Sequence, residues 1–344
     1  MPNDNKTTKP TPIRRVLVTG GAGYKGCILV PKLLKKGYDV VVYDLMITYD
    51  KGLPENPKLK VIKGDIRDKI SFRQALEGCD AVIHMACISN DPSFELDPEL
   101  SKTINYECFE SLVKASKEFG VKRFIYVSSS SVYGVSDAPD VTEDHPLVPL
   151  TDYNKYKGLC EPILLKYQSP EFTTVVFRPA TVCGYSPRMR FDLSINILTN
   201  HAYQRGVITV FGGDQKRPNI HIEDVTDVYV QALEWPVAKL AGQIFNAGFE
   251  NHTISQLAEF VKKVVEEEFP DKKPIKIEKS KSDDNRSYHV NSDKIYRALG
   301  WKPKHTIEDA VRDLCQAFRR GEFSDAMQND AYSNVKTIKK LALK

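Results

Sequence analysis

A tyrosine and a lysine four residues apart have the clearest chemical potential in this sequence. Tyr153 and Lys157 lie in the segment TDYNKYK, and residues four apart share one face of a helix, so both side chains can point into one site. A free tyrosine, with a pKa of about 10, is a poor base at neutral pH, but a neighbouring ammonium stabilises its phenolate. Tyr153 is therefore the predicted general base. Tyr156 is a weaker alternative, because Cys160 lies four residues after it and cannot stabilise a phenolate.

A glycine-rich turn near the amino terminus predicts an anion-binding site. An apolar strand at 16–19 leads into GGAGYKG, and a helical pattern starts at Tyr24, so the first N–H groups of that helix are free to bind a phosphate. Gly20 permits the tight turn, and Gly23 lets the backbone approach the phosphates. Gly26 lets the helix pack close to the strand. The pattern is typical of a pyrophosphate site.

The end of the second predicted strand indicates which dinucleotide binds. Asp44 follows a strand that starts at Asp39, at about the spacing where a carboxylate binds both ribose hydroxyls of an adenosine. Because an acid there repels a 2′-phosphate, the pattern favours NAD over NADP as the cofactor. Lys25 is unusual within the phosphate turn, and it either adds positive charge near the diphosphate or faces solvent.

Composition argues against several other classes of protein. The 344 residues are 41% hydrophobic and 27% charged with a net charge of +4, which describes a globular protein and is too weakly basic to indicate a nucleic-acid partner. No apolar run reaches membrane length, and MPNDNKTTKP has no signal-peptide core, so we expect neither a membrane nor export. The seven scattered cysteines favour reduced thiols in the cytoplasm over disulfides or a metal site.

Strands and helices alternate through the first half of the chain. Strand patterns lie near 14–19, 39–44, 59–63, 80–85, 122–128 and 173–178. The alternation predicts an α/β fold, a doubly wound parallel sheet of the Rossmann type, with a smaller C-terminal substrate-binding domain. The predicted units are a disordered leader over 1–12, an NAD-binding domain over 13–180 with a returning segment at about 219–248, and a substrate-binding domain over 181–218 and 249–344.

Taken together, the motifs resemble one family. TGGAGYKG, Asp44, the triplet GDI at 64–66, HMA at 84–86, SSSSVYG and YNKYK follow the order found in the extended short-chain dehydrogenase/reductase family, the NAD-dependent epimerase/dehydratase group acting on nucleotide sugars. The resemblance runs from about Arg14 to Trp301. It implies a nucleotide-diphosphate sugar as substrate. It also implies a homodimer, in which a helix predicted over about 97–119 and the Tyr153 helix pair across a two-fold axis.

The resemblance carries roles to individual residues. Ser129, four residues before Tyr133, matches the catalytic Ser or Thr of the family and joins Tyr153 and Lys157 as the catalytic set. The residues implied to bind NAD are Gly20, Gly23, Tyr24, Lys25, Gly26, Asp44, Asp65, Ile66, Ala86, Tyr153 and Lys157. The residues implied to bind substrate are Ser129, Ser130, Thr181, Arg188, Arg190, Arg217 and Arg286.

Some of these roles are more specific. The resemblance places Asp65 and Ile66 at the adenine and Lys157 at the nicotinamide ribose. Arg217 in RPNIHIEDV matches an arginine motif of the family, and Arg286 in DDNRSYHV matches the arginine that binds the substrate diphosphate.

Departures from the family patterns narrow the predicted activity. The 4,6-dehydratase branch has an Asp-Glu pair directly after its catalytic Thr, and the hydroxyls of Ser130 and Ser131 cannot replace that pair. Thr181 stands where many epimerases have Asn, which leaves the orientation of the substrate open. The segment SPRMRFDL, with Arg188 and Arg190, resembles the nucleotide-sugar loop of a subset that includes heptose-nucleotide 4-oxidising enzymes.

The sequence therefore predicts an NAD-dependent nucleotide-sugar epimerase that acts at C4 through a transient 4-keto intermediate. The same Ser, Tyr and Lys site fits a 4-dehydrogenase or 4-ketoreductase, and the sequence barely separates these alternatives. A non-catalytic NAD-sensing protein is a third alternative, against which the presence of both Tyr153 and Lys157 argues.

Overall fold

The elements of this computed structural model are given for the residues that it describes, which are 12–47, 52–136, 138, 140–281, 287 and 289–341. The strands are β1 (Arg15–Thr19), β2 (Asp39–Asp44), β3 (Leu59–Lys63), β4 (Ala81–His84), β5 (Arg123–Val127), β6 (Thr173–Pro179), β7 (Thr181–Cys183), β8 (Val207–Phe211), β9 (Lys216–His221), β10 (Gln243–Ala247), β11 (Glu250–Thr253) and β12 (Lys276–Ser280). The α-helices are α1 (Gly26–Lys35), α2 (Lys69–Ala75), α3 (Asp91–Phe94), α4 (Pro98–Lys102), α5 (Phe109–Glu118), α6 (Asp152–Leu165), α7 (Ser194–Arg205), α8 (Ile222–Gln231), α9 (Val237–Leu240), α10 (Ile254–Glu268), α11 (Asp293–Leu299), α12 (Ile307–Arg319) and α13 (Asn334–Leu341). Of the predicted disordered leader, residues 1–11 lie outside the described residues.

A parallel sheet of seven strands, in the order β10-β6-β5-β4-β1-β2-β3, confirms the predicted doubly wound fold. The chain builds outward from β1 to β3 and then returns to place β4 on the other side of β1. Loops at the carboxyl ends of β1 and β4 therefore diverge, which opens a crevice where ligands bind in sheets of this kind.

Neighbouring side chains on β1 pack into different layers. Val16 and Val18 share one apolar core with Leu29 of α1, and Leu17 shares the other core with Leu112 of α5. Because both faces are covered, the inner strands β4, β5 and β6 are buried along their whole length, whereas the edge strand β3 is largely exposed. This double burial explains why the strand segments could be located from the sequence.

The second half of the chain forms two smaller sheets, one in the order β11-β9-β7 and one of β12 with β8. Helices α7, α10 and α12 share a third apolar core that includes Ile195, Leu257 and Val311. Within the predicted returning segment at 219–248, α8 packs on α1 and β10 pairs with β6. The exact domain boundaries stay a prediction.

The helical segment predicted over about 97–119 is present, and a π-helical turn divides it into two α-helices. Helix α4 is followed by a π-helical turn, Thr103–Glu107, before α5 begins at Phe109. This turn brings Asn105 inward, where its side chain accepts from the Ile88 N–H at 2.8 Å and donates to the Ile88 carbonyl at 2.9 Å. The irregular turn therefore fixes the loop that follows β4.

None of the helices in the described part of the chain combines the length and the apolar character that crossing a bilayer requires.

Candidate active site

A cavity of about 410 Å³ opens at the carboxyl ends of β1, β4 and β5, and its volume is in the range of small-molecule sites. Most of the residues selected from the sequence line it. These are Gly20, Gly23, Tyr24, Lys25, Asp44, Ile66, Ala86, Ser129, Ser130, Tyr153, Lys157, Thr181, Arg188, Arg190 and Arg217. The fold thus brings together motifs from distant parts of the sequence.

Two of the selected residues, Gly26 and Asp65, are not among those that line the cavity. A Cβ built on Gly26 would lie 2.2 Å from the Gly21 carbonyl oxygen, so Gly26 serves the packing of α1 and is not among the residues that line the cavity. The Asp65 carboxylate pairs with Arg67, whose Nη2 lies 2.6 Å from Oδ2, and Asp65 is also not among the lining residues. Arg286 lies outside the described residues.

The glycine-rich turn has the geometry of a phosphate site. Gly20 has a φ of 70°, and a Cβ at this position would lie 2.8 Å from the Ala86 nitrogen, so only glycine fits. Lys25 is the residue directly before α1, and it lines the cavity. Burial, together with the charges of Lys157 and Arg190, lowers the pKa of Lys25 to about 8. The turn therefore offers backbone donors and a cation to a diphosphate.

Asp44 is held beside this turn at the end of β2. Its Oδ2 accepts a hydrogen bond from the Ala22 N–H at 3.0 Å, and its Oδ1 accepts one from the Met46 N–H at 2.8 Å. Burial raises the pKa of the Asp44 carboxyl. The Asp44 carboxylate thus lies beside the glycine-rich turn as an acceptor, which is compatible with the predicted contact to the adenosine ribose of NAD.

Lys157 is anchored at the end of β5. Its Nζ donates to the Val127 carbonyl at 2.9 Å, and the side chain is buried. Thr151 caps the start of the same helix, α6, by accepting from the Asn154 N–H at 3.4 Å. The cap and the anchor together fix the face of α6 that carries the candidate catalytic residues.

The phenol of Tyr153 is neutral in this arrangement. Burial raises its pKa well above the usual value, and the nearby Cys87 and Asp91 add to the effect. The Arg190 guanidinium and a hydrogen bond with the backbone of Asn90 lower the pKa, but by less. The oxidised nicotinamide of NAD would add a positive charge here, which would lower the pKa of Tyr153 and favour its phenolate.

Ser129 belongs to a chain of hydroxyl and amide groups. Its Oγ lies 2.7 Å from the Ser131 Oγ and accepts from the Ser131 N–H at 3.2 Å. The Ser131 hydroxyl in turn donates to Asn154 Oδ1, on the residue next to Tyr153. Ser131 therefore connects Ser129, which follows β5, to α6 through hydrogen bonds. The dehydratase branch has a carboxylate at the position of Ser131.

A buried ion pair lies behind the serine cluster. Glu161 of α6 accepts from the Ser128 hydroxyl at 2.6 Å and pairs with Arg178 of β6, whose Nη2 lies 2.6 Å from Oε2. Arg178 Nη1 also donates to the Tyr133 hydroxyl at 2.7 Å. This network ties α6, β5 and β6 together directly behind Ser129.

The two arginines of SPRMRFDL have separate partners. Arg190 forms two hydrogen bonds with Asp192, at 2.9 and 3.0 Å, and its Nη1 donates to the Ser89 hydroxyl at 3.1 Å. Arg188 Nη2 donates to Asn334 Oδ1 at 2.6 Å. The Arg190 guanidinium acts to lower the pKa of Tyr153, whereas Arg188 is held by Asn334 of α13.

Sequence reasoning missed several residues of the cavity wall. Ser89, Asn90 and Asp91 follow β4, and a signal for them existed, because side chains after the carboxyl end of a central strand face the crevice. Asn334 and Ile338 of α13 also line the cavity, and no motif pointed to them.

The fold and the site define a dinucleotide-dependent enzyme of the short-chain dehydrogenase type. A family model described as the NAD dependent epimerase/dehydratase family matches residues 16–248, and the chain belongs to that family. NAD is the cofactor of this family, and the glycine turn and Asp44 fit it.

Relatives and solved structures agree with this assignment. The chain is 30% identical over 316 residues to a UDP-glucose 4-epimerase of Lactobacillus helveticus, covering 86% of this chain and 94% of the relative. A structure of the Thermus thermophilus UDP-glucose 4-epimerase in complex with NAD has a TM-score of 0.77 at 25% identity, over 89% of this chain and 99% of the other. The epimerase Mth375 of Methanothermobacter thermautotrophicus shares the fold, with a TM-score of 0.81 at 23% identity over 90% and 93% of the two chains.

Proposed function

We propose that this protein is an NAD-dependent epimerase that inverts C4 of a nucleotide-diphosphate sugar. The observation that carries the proposal is that Tyr153, Lys157 and Ser129 line the same cavity as the dinucleotide turn. Relatives named UDP-glucose 4-epimerase support the reaction class. NAD supplies a hydride acceptor that is regenerated in each turnover, so the reaction needs no net oxidant.

Tyr153 is the proposed acid and base at the sugar. Its phenolate oxygen would take the proton of the C4 hydroxyl as the 4-keto sugar forms, and the resulting phenol would return that proton when the opposite C4 epimer is made. Ser129 hydrogen-bonds the same sugar oxygen and orients it toward Tyr153. The contact of Ser129 with Ser131 limits the rotation of its hydroxyl.

The cationic wall supports a diphosphate substrate. Arg190 and Arg217 line the cavity, and guanidinium groups bind phosphate oxygens through paired hydrogen bonds. Arg190 is itself fixed by Asp192, which prepares its position before substrate arrives. Arg286 stays a predicted diphosphate ligand on the basis of the resemblance alone.

Product analysis tests the proposal directly. The purified protein would be incubated with UDP-, GDP-, CDP- and dTDP-sugars, with and without added NAD, and C4 epimers would be identified by NMR while absorbance reports NADH. We expect one pair of C4 epimers to interconvert without accumulation of NADH, and the Tyr153→Phe variant to lack the activity. NADH formed in proportion to a 4-keto product would instead establish the 4-dehydrogenase alternative. Intact NAD binding without any turnover would favour the sensing alternative.

We also propose a cytoplasmic homodimer. All seven cysteines are free, which fits a reducing compartment. Leu159, on α6, is 40% exposed, and this apolar position suits a helix that pairs with its copy. Thiol titration of the denatured, unreduced protein isolated from cells should find every cysteine reactive, whereas disulfides would contradict the compartment.

A further inference from the structure

The last segment of the chain returns to the cavity wall. Residues 323–341, named here the C-terminal clasp, include Phe323, whose ring lies 5.0 Å from that of Phe191. The Phe191 N–H donates to the Tyr332 carbonyl at 2.9 Å, and Asn200 Nδ2 donates to the Ala326 carbonyl at 3.0 Å. The clasp is therefore anchored on the loop that carries Arg188 and on α7, and it lies beyond the residues matched by the family model.

Asn334, at the start of α13, forms hydrogen bonds with two residues of the segment SPRMRFDL, Arg188 and Asp192, and with Ser89 of the loop after β4. Its Oδ1 accepts from Arg188 Nη2 at 2.6 Å, and its Nδ2 donates to the Ser89 hydroxyl at 2.6 Å. Its backbone N–H donates to Asp192 Oδ2 at 3.1 Å. One side chain thus sets the orientation of the Arg188 guanidinium and ties it to the residues that hold Arg190.

Arg188 faces the cofactor side of the cavity. It is 4% exposed, and its Nε is buried without a hydrogen-bond partner in the described part of the chain. Gly52 lies between Arg188 and Cys27. A Cβ added to Gly52 would be 3.8 Å from Arg188 Cβ and 2.4 Å from Cys27 Sγ. The Arg188 side chain therefore starts beside the first turn of α1. Its charge lowers the pKa of Asp44, although burial raises that pKa more.

An anion bound beside the buried Arg188 guanidinium would stabilise its positive charge. Burial and the neighbouring Arg190 lower the pKa of Arg188 to about 10. The direction of this change means that nearby negative charges do not fully balance the buried positive charge of Arg188. Asp44 already accepts hydrogen bonds from two backbone N–H groups, and within the described part of the chain it forms no ion pair with Arg188. The phosphates expected at the adjoining glycine turn would supply the missing acceptor.

Ile338 forms part of the apolar wall at this end of the cavity. It is buried and belongs to the apolar cluster that contains Ile66 and Ile104, and all three line the cavity together with Ile47. Helix α13 therefore adds to the apolar wall beside Ile66, at which the resemblance places the adenine.

We propose that the C-terminal clasp is part of the NAD site, in which Asn334 positions Arg188 on the cofactor diphosphate and Ile338 covers the adenosine end. Arg188 is then a cofactor ligand rather than the substrate ligand that the resemblance implies. The clasp must separate from the cavity before NAD leaves, so the cofactor is retained between turnovers. The inference rests on the NAD-dependent function proposed above, but not on epimerisation.

The test measures binding without any sugar substrate. Dissociation rates of NAD and equilibrium affinities for NAD and UDP would be compared for the full-length wild type, Arg188→Met, Arg188→Lys, Asn334→Ala and Ile338→Ala. Lys339→Ala is the matched control, because Lys339 is exposed on the same helix. Since no sugar turnover enters the measurement, failure of the epimerase proposal would not affect its result.

We expect Arg188→Met to release NAD about tenfold faster or more, with Arg188→Lys intermediate, and UDP affinity to stay within about twofold. Asn334→Ala and Ile338→Ala should each speed NAD release by a smaller factor, and Lys339→Ala should not. Asn334→Ala added to Arg188→Met should have little further effect, because Asn334 acts through Arg188. Loss of UDP affinity with unchanged NAD release in Arg188→Met, or unchanged release in Ile338→Ala, would overturn the proposal.

Discussion

Tyr153 is the residue on which the proposed chemistry depends. Tyr153→Phe removes one oxygen and little packing, so NAD binding and the fold should survive. Turnover should fall by about 10²–10⁴-fold, the usual contribution of general acid–base catalysis. The measurement is kcat for the sugar nucleotide, with NAD affinity determined on the same samples. A variant that turns over at a rate near wild type would refute the assignment and direct attention to Tyr156.

The neighbours of Tyr153 provide an ordered comparison. Lys157→Met should weaken NAD binding as well as turnover, because its ammonium supports the ribose and the phenolate. Ser129→Ala should cost less turnover than either, since it removes a hydrogen bond but no proton acceptor. An effect of Ser129→Ala larger than that of Tyr153→Phe would contradict these roles.

Asp44 should set the preference between the two dinucleotides. Its carboxylate is fixed at the end of β2 by two backbone N–H groups, and its proposed role there is to bind the ribose hydroxyls and to repel a 2′-phosphate. Calorimetry should therefore show strong preference for NAD over NADP in the wild type and a smaller difference in Asp44→Ala. Equal wild-type affinities for the two cofactors would remove this role.

Lys25 should make NAD binding dependent on pH. The pKa of Lys25 is lowered to about 8, chiefly by burial, so the ammonium is charged below this value and neutral above it. Affinity for the diphosphate should fall as pH rises through that range, and a Lys25→Ile variant should bind more weakly at low pH with a flatter profile. Identical pH profiles for the two proteins would show that Lys25 does not contact the cofactor.

At the scale of elements, the sequence predicts what depends on burial and local turn chemistry. The strands could be located because buried parallel strands are continuous apolar runs. The turn after β1 could be located because the backbone passes so close to Ala86 that only glycine fits at position 20. The π turn at Thr103–Glu107 could not, since it follows from the contact of Asn105 with the distant Ile88. The same limit applies to the clasp, whose partners are separated from it by well over a hundred residues.

The buried pair behind the serine cluster should stabilise the junction of α6, β5 and β6. Glu161 and Arg178 are 1% and 3% exposed, and Glu161→Gln would leave a buried guanidinium without its counter-charge. We expect the free energy of unfolding in urea to fall by about 3–5 kcal/mol. Asp293→Asn, which removes an exposed pair with Arg297, should have little effect. Equal stability of both variants would show that the buried pair contributes nothing.

At the scale of the whole molecule, both ends of the chain converge on one cavity. The phosphate turn follows the first strand, the catalytic pair lies in the middle of the chain, and Asn334 and Ile338 come from the last described helix. Cofactor binding should therefore stabilise the chain as a unit rather than one domain. Helix α6 contributes in two ways. One face carries Tyr153 and Lys157, which line the cavity, and another face exposes Leu159, which is available to contact a second copy of the protein.

The outer face of α6 is the predicted centre of a homodimer. Leu159 is 40% exposed there, and burying such a leucine against a symmetric copy stabilises an isologous interface. Light scattering should report a dimer at micromolar concentration, and Leu159→Glu should shift it toward monomer by placing two carboxylates against each other. Val237→Glu is the matched control, because Val237 is 37% exposed on α9, whose Leu240 packs in the apolar core on the other face of the sheet, and its variant should remain dimeric. A monomeric wild type would rule out the dimer, and a dimer unaffected by Leu159→Glu would place the interface elsewhere.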